Sequence, residues 1–248
     1  MSLFMDGRLG GIRELSEADS GVLGVAKTEG IDPTTKLDLG RKEIGLDLEQ
    51  FLSKYHAGAG YSLGQVVVTE ALKQWHVYLS LALIYRDAYY SQLNDRYSAR
   101  FKEFESRAQR ASEQCYAVGI GVVWVPLPQA PLPQITPSAA RSTPGMWQAR
   151  ISWVGEGGEE GDWSEPVTVQ VPEGSTFAVA APGAPAGVTG WNLYAGLLEE
   201  QSRRQNDAPL DVASTWTMTQ TTAGGGATGS GGQQPQEYLQ KVRILQRG

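Results

Sequence analysis

A chain of 248 residues with 41% apolar and 19% charged residues has the composition of a folded globular protein, long enough for one large domain or two ordinary ones. Its net charge of −6 excludes a surface built to wrap nucleic acid, which is strongly basic, but leaves room for a local basic patch. Cys115 is the single cysteine, so no intrachain disulfide exists, which fits assembly in a reducing compartment.

In chain order, Met1 to Arg8 shows no basic region followed by an apolar core, so no secretory signal is expected. Leu15, Ala18, Val22 and Val25 predict a short first helix, weakened by Gly21 and Gly24. Leu37, Ile44, Leu48, Phe51 and Tyr55 lie in phase on a second helix over 36–55, with Thr34 or Thr35 as cap. Val68, Ala71, Trp75, Tyr78, Ala82, Tyr85 and Tyr89 share a stripe that Leu72, Leu79 and Leu83 widen. So much apolar surface predicts a helix over 66–93, with Thr69 early in it, buried on more than one side. Its strongest apolar run, Val77 to Tyr85, falls far short of the roughly 18 residues of a membrane span. Tyr97, Phe101, Phe104, Ala108, Ala111 and Cys115 recur every three or four residues and predict a helix over 96–118. Asn94 or Asp95 would cap its start and Gly119 its end. Short connections make these helices antiparallel neighbours, a helical bundle within residues 1–122.

Residues 126–144 hold six prolines and predict an extended spacer over 123–145. From Met146 the period changes to two. Trp147, Ala149, Ile151 and Trp153 alternate onto one face, and Val167, Val169 and Val171 repeat the pattern. Strands over 176–180, 191–195 and 212–219 follow, separated by Gly/Pro-rich turns. That spacing reads as an antiparallel β-sandwich over 146–222. The fold class is therefore α+β, with an extended tail over 223–248. In this tail six glycines fall between Gly224 and Gly232, and their backbone entropy predicts a flexible tether. Thirteen such residues span roughly 20 Å. The closing segment offers Tyr238, Leu239, Val242, Ile244 and Leu245 as apolar anchors. Lys241, Arg243 and Arg247 against Glu237 leave it with two net positive charges. Both periods fit it, so it could dock in a partner as a strand or as a helix.

Ala149 to Val154, Trp163-Ser-Glu-Pro166, Val167 to Val171 and above all Gly187-Val-Thr-Gly-Trp-Asn-Leu-Tyr-Ala-Gly196 resemble a fibronectin type III-like (Ig-like) module of phage structural proteins. Ser16 to Lys27, Thr35 to Ile44 and the long helices 66–93 and 96–118 resemble the head–tail adaptor (connector) proteins of tailed bacteriophages. That resemblance implies a virion protein of the neck, assembled in the host cytoplasm as a homo-oligomeric, dodecameric ring. Its implied partners are the portal protein, into which the C-terminal tail docks, and a tail stopper, terminator or tail tube protein, with genomic DNA in the ring lumen. The β-module is an addition to that plan.

Chemistry-bearing motifs are sparse. His56 ends a helix and His76 neighbours Trp75. No Cys-x-x-Cys, His-x-x-x-His or Glu-x-x-His occurs, so no metal or cofactor is expected. Cys115 lies on an apolar stripe and reads as a small buried hydrophobe. Glu156, Glu159, Glu160 and Asp162 lack the order of a calcium loop and read as a solvated hairpin tip. Gly58 to Gly64 lies between helices and does not fit a dinucleotide loop. No catalytic residues are singled out and no enzyme is expected. Arg96, Arg100, Arg107 and Arg110, with Lys102, make one helix basic, but acids are interspersed. They read as a salt-bridged solvent or subunit face, or as a face toward DNA in a lumen. A carbohydrate- or receptor-binding protein of a tail or cell surface, using an exposed Trp163 or Trp191, is the alternative function.

Overall fold

The computed structural model describes residues 1–7, 9–92, 95–138, 143–197, 202–218 and 231–241. They form a mixed α+β protein of two compact units. One contains Gly7–Trp124 and continues from Pro235, and the other contains Met1–Asp6 with Val125–Gln234. The chain therefore passes between the units three times, after Asp6, Trp124 and Gln234.

In the helical unit the expected first helix is two, α1 (Ile12–Ala18) and α2 (Val22–Glu29). The break falls at Asp19-Ser20-Gly21, where the Asp19 carboxylate accepts the Gly21 N–H at 2.9 Å in a local turn that competes with the helix. Helix α3 spans Pro33–Tyr55, and its cap is Asp32 rather than either threonine. The Asp32 carboxylate accepts the Thr34 N–H at 3.0 Å and the Thr35 hydroxyl at 2.8 Å, and Pro33 takes the first position, where no N–H is needed.

Helix α4 (Glu70–Gln92) starts four residues later than expected, because Val66, Val67 and Val68 are buried in extended conformation. Val66 bridges Val122, and the Val67 N–H donates to Gly121 O at 2.9 Å. A β-branched run suits that pairing better than a first helical turn. Helix α4 packs against α1, α2, α3 and α5 (Ser98–Val118), which accounts for its apolar faces. Leu81, Ile84 and Ala88 are fully buried there. Helix α5 ends as expected at Gly119, whose φ of 108° few side chains tolerate. Strand β1 (Ile120–Val122) follows directly.

The second unit carries two antiparallel sheets. β2 (Gln134–Ser138), β5 (Thr176–Ala180) and β9 (Thr215–Thr217) form one, in the order β2-β5-β9. The other runs β4-β3-β6-β7, from β4 (Val167–Val171), β3 (Gly145–Gly155), β6 (Val188–Gly196) and β7 (Arg203–Arg204), with β8 (Leu210–Asp211) also on β6. Trp147, Ile151, Trp153, Phe177, Trp191 and Leu193 meet in one buried core fed by both sheets. The alternation of β3 is thus as the sequence reads, and Trp191 lies in the core.

The Pro-rich segment is not a free spacer. Leu127 and Ala130 are buried, and β2 pairs with β5 in a register that puts Pro137 opposite Phe177. Proline is tolerated because β2 is an edge strand whose outer side needs no donor. The strand expected over 212–219 is interrupted: Asp211 accepts the Ala213 N–H at 2.9 Å in an Asx turn, and β9 begins only at Thr215. The sequence reading also missed the first six residues, which bury Leu3 and Phe4 in this unit, where the Asp6 carboxylate accepts the Gln129 N–H at 3.1 Å.

Candidate docking site

Strand β10 (Glu237–Leu239) pairs antiparallel with β1 of the same chain: Ile120 opposes Leu239, Gly121 opposes Tyr238 and Val122 opposes Glu237. Side chains of the helical unit hold it on both flanks. The Gln236 side chain accepts the Trp124 N–H at 2.7 Å, and the Tyr61 hydroxyl donates to Glu237 at 2.5 Å. Beyond the strand, His56 Nε2–H donates to Gln240 O at 2.9 Å, and the Lys241 ammonium stands 4.5 Å from the Tyr116 ring centroid. Of the residues expected to reach a partner, Leu239 is buried at home, 2% exposed, while Tyr238 remains 48% exposed. Val242, Arg243, Ile244, Leu245 and Arg247 lie outside the described residues, as does the expected glycine-rich tether up to Ser230.

Two glycines make this pairing possible, and the sequence reading gave a role to only one. A Cβ on Gly121 would meet Pro235 Cγ at 2.8 Å, and one on Gly119 would meet Tyr238 Cβ at 3.1 Å. Gly119-Ile-Gly121 directly after a helix was the available signal, but nothing in it names the strand that closes on it.

Where β10 ends, a cleft of about 260 Å³ opens, lined by Asp47, Phe51, Lys54, Tyr55, Tyr116 and Lys241. Phe51 packs on Tyr116 at 5.0 Å between ring centroids, and Tyr116 meets the edge of Trp75 at 5.7 Å. Burial holds the Tyr116 phenol well above the usual tyrosine range. Asp47 also lines a second cleft of about 360 Å³, together with Trp75, that runs between α3 and α5 across α4. The two clefts are therefore contiguous.

The arginines of α5 sit elsewhere on the helical unit. Glu103 pairs with Arg100 at 3.2 Å and with Arg107 at 2.6 Å. Arg107 also lies over the Tyr78 and Phe104 rings, Arg96 lies over Tyr97, and Arg110 donates to Ser106 O at 3.3 Å. Arg107, Arg110 and Tyr78 line a third cleft of about 430 Å³. Arg100 and Arg107 are thus salt-bridged to Glu103 along α5, Arg107 also reaches across to Tyr78 of α4, and Arg96 lies on the turn that precedes α5.

The acidic loop differs from a solvated tip. Glu156 is exposed, but Glu160 accepts hydrogen bonds from the Ser152 hydroxyl and, at 2.6 Å, from the Tyr194 hydroxyl, and Asp162 is buried. The loop folds back over the outer face of β3 and β6. Trp163 is part of that cover: its ring packs 5.5 Å from Tyr194 and under Arg150, so it is half-buried rather than displayed. Burial and the Glu160 contact together push the Tyr194 phenol far up.

Cys115 is buried, and desolvation pushes its thiol up to about 11. His76 is buried against Leu37 O, to which its Nε2–H donates at 2.8 Å, and burial lowers its proton affinity. Among the described residues no group of three or more histidine, cysteine or acidic side chains could hold a metal ion, and no helix is long and apolar enough to cross a membrane. No protein-family model matches the chain, and no curated protein is similar to it.

Proposed function

We propose that this chain is a structural adaptor of the neck of a tailed bacteriophage, assembling as a ring between portal and tail. The observation that carries this reading is the pairing of β10 with β1. It anchors the C-terminal segment on the helical body as far as Lys241, so that contact with a portal falls to the residues from Val242 onward. Strand addition to an exposed edge is a general means of fixing such a segment. The long helices α3, α4 and α5 supply a rigid body of the kind ring subunits need. On this reading the two sheets of the second unit, which share one core, are a fibronectin type III-like sandwich decorating the ring. Arg96, Arg100, Arg107 and Arg110 form a subunit or lumen face.

The test is light scattering and electron microscopy of the full chain with and without purified portal, beside a variant truncated after Lys241. The full chain forms rings on the portal, and the truncated chain keeps its thermal midpoint but does not associate. A truncated chain that still binds the portal would remove the docking role of residues 242–248. A full chain that stays monomeric with every portal offered would remove the adaptor reading. A cut ahead of β10 does not serve this purpose, because it also strips β10 and uncovers β1.

A further inference from the structure

We propose that the groove along β1 accepts residues 235–241 of a second copy of this chain, so that β10 is exchanged between copies and fastens one to the next.

The first argument is fit. The groove already holds this segment, and the contacts that hold it all come from the helical unit. The Gln236 N–H donates to Val122 O at 2.9 Å, and its side chain accepts the Trp124 N–H. Glu237 accepts from Tyr61, Gln240 O accepts from His56, and the Lys241 ammonium stands over the Tyr116 ring. Gly119 and Gly121 leave room for the approach. An acid, a buried leucine and a cation at positions 237, 239 and 241 follow the two-residue period of a strand. Strand addition of this kind takes its affinity from the main chain and its specificity from alternate side chains. A second copy carries the same seven residues and makes the same contacts, so exchange between copies costs none of them.

The second argument is that the segment is separable. The chain enters the helical unit at Pro235. Two residues earlier, the Gln233 side chain is held in the other unit, where it donates to Val125 O at 2.9 Å and accepts the Leu127 N–H at 2.7 Å. Gly231 and Gly232, at φ of 68° and 97°, precede this crossing. Of residues 235–241 only Leu239 is buried, and the ladder is three residues long. So short a strand opens locally while the helices stay packed. In a lone chain the covalent link keeps its own segment at a high effective concentration beside the groove. Copies held side by side offer a neighbour's segment at a comparable concentration. The proposal goes beyond the adaptor reading and does not rest on it, since it concerns two copies of this chain and no portal.

The test mixes two full-length variants without portal. Gly121→Val closes the groove and leaves its own segment free to donate. Leu239→Asp spoils the segment and leaves its own groove open to accept. Thermal midpoints establish that both are folded. In the mixture, hydrogen exchange regains protection at Tyr238 and Leu239 of the Gly121→Val chain, and light scattering shows a heterodimer that neither variant forms alone. A donor carrying both Gly121→Val and Leu239→Asp does not associate. If Gly121→Val does not fold, the peptide Gln-Pro-Gln-Glu-Tyr-Leu-Gln-Lys, residues 234–241, takes its place as donor. It binds the Leu239→Asp chain about tenfold more tightly than the same peptide with the leucine replaced by aspartate. Folded variants that ignore each other overturn the proposal and confine the pairing to one chain, and in the peptide arm equal binding of the two peptides does the same. Association that persists with the doubly substituted donor belongs to another surface and also overturns it. A portal that ignores the full chain would remove the adaptor reading and leave these outcomes unchanged.

Discussion

A Cβ added to Gly121 would stand 2.8 Å from Cγ of Pro235, inside van der Waals contact, so β10 can close on β1 only because residue 121 has no side chain. Gly121→Val should expel residues 235–241 from their site. The expected readouts are loss of amide protection at Tyr238 and Leu239 by hydrogen exchange, and a stability loss of about 1–3 kcal/mol from overpacking and the uncovered β1 edge. Protection that persists in the variant would mean that Pro235 swings aside and the glycine is not required.

Gly40 of α3 and Ser80 of α4 form a second close approach: a Cβ on Gly40 would lie 2.8 Å from Ser80 Oγ, which is buried without a hydrogen-bond partner. Gly40→Ala should destabilise by about 1–3 kcal/mol. Ser80→Ala alone removes an unsatisfied hydroxyl and should be neutral or stabilising. The double variant should recover most of the Gly40→Ala loss, and urea denaturation of the four proteins measures the coupling. Strict additivity would show that the helices separate rather than clash.

Cys115 should be unreactive toward thiol reagents at pH 8 in the folded protein and react fully in denaturant, since burial keeps it protonated to about pH 11. The folded pKa is raised, so this contribution to stability is complete below the unfolded thiol's range near pH 8.5. It is lost as pH climbs through about 11. Between those limits the native chain should lose up to about 3 kcal/mol more than Cys115→Ala, in denaturation at fixed pH steps. Parallel curves for the two proteins would refute the assignment.

His76 acts at the opposite end of the scale. Burial, reinforced by the Arg41 charge and opposed by the Leu37 carbonyl, lowers its pKa in the folded state. The unfolded chain therefore takes up the proton first as pH falls, and the stability present above about pH 6.5 drains away below it. His76→Gln should flatten that acid limb while Nε2 of the new side chain keeps the bond to Leu37 O. An unchanged limb would place the acid sensitivity in other groups.

Much of the helical unit was legible because the information is local. The stripe through Phe104, Ala108, Ala111 and Cys115 needs only one face to be buried, whatever covers it, and all four are buried. The alternation of Trp147, Ala149, Ile151 and Trp153 was readable for the same reason. Element ends were less so. Asp32 displaced the threonine caps, and the valines at 66–68 left helix for extended pairing, because those choices rest on one hydrogen bond or one distant partner.

Composition by itself determined that this is a folded, acidic, disulfide-free chain with a helical part followed by a β part, closed by a glycine-rich tether and an apolar basic end. Tertiary structure alone decided what those ends do. Residues 1–6 belong to the β unit, Pro133 is buried and Pro137 is paired with β5, and Gln236 reaches back 112 positions to hold Trp124. Periodicity states which face of a segment is apolar but carries no address for the surface that will cover it. A three-residue strand such as β10 has too few residues to show a period, so its partner is fixed only when α5 ends at Gly119 and presents β1 beside it.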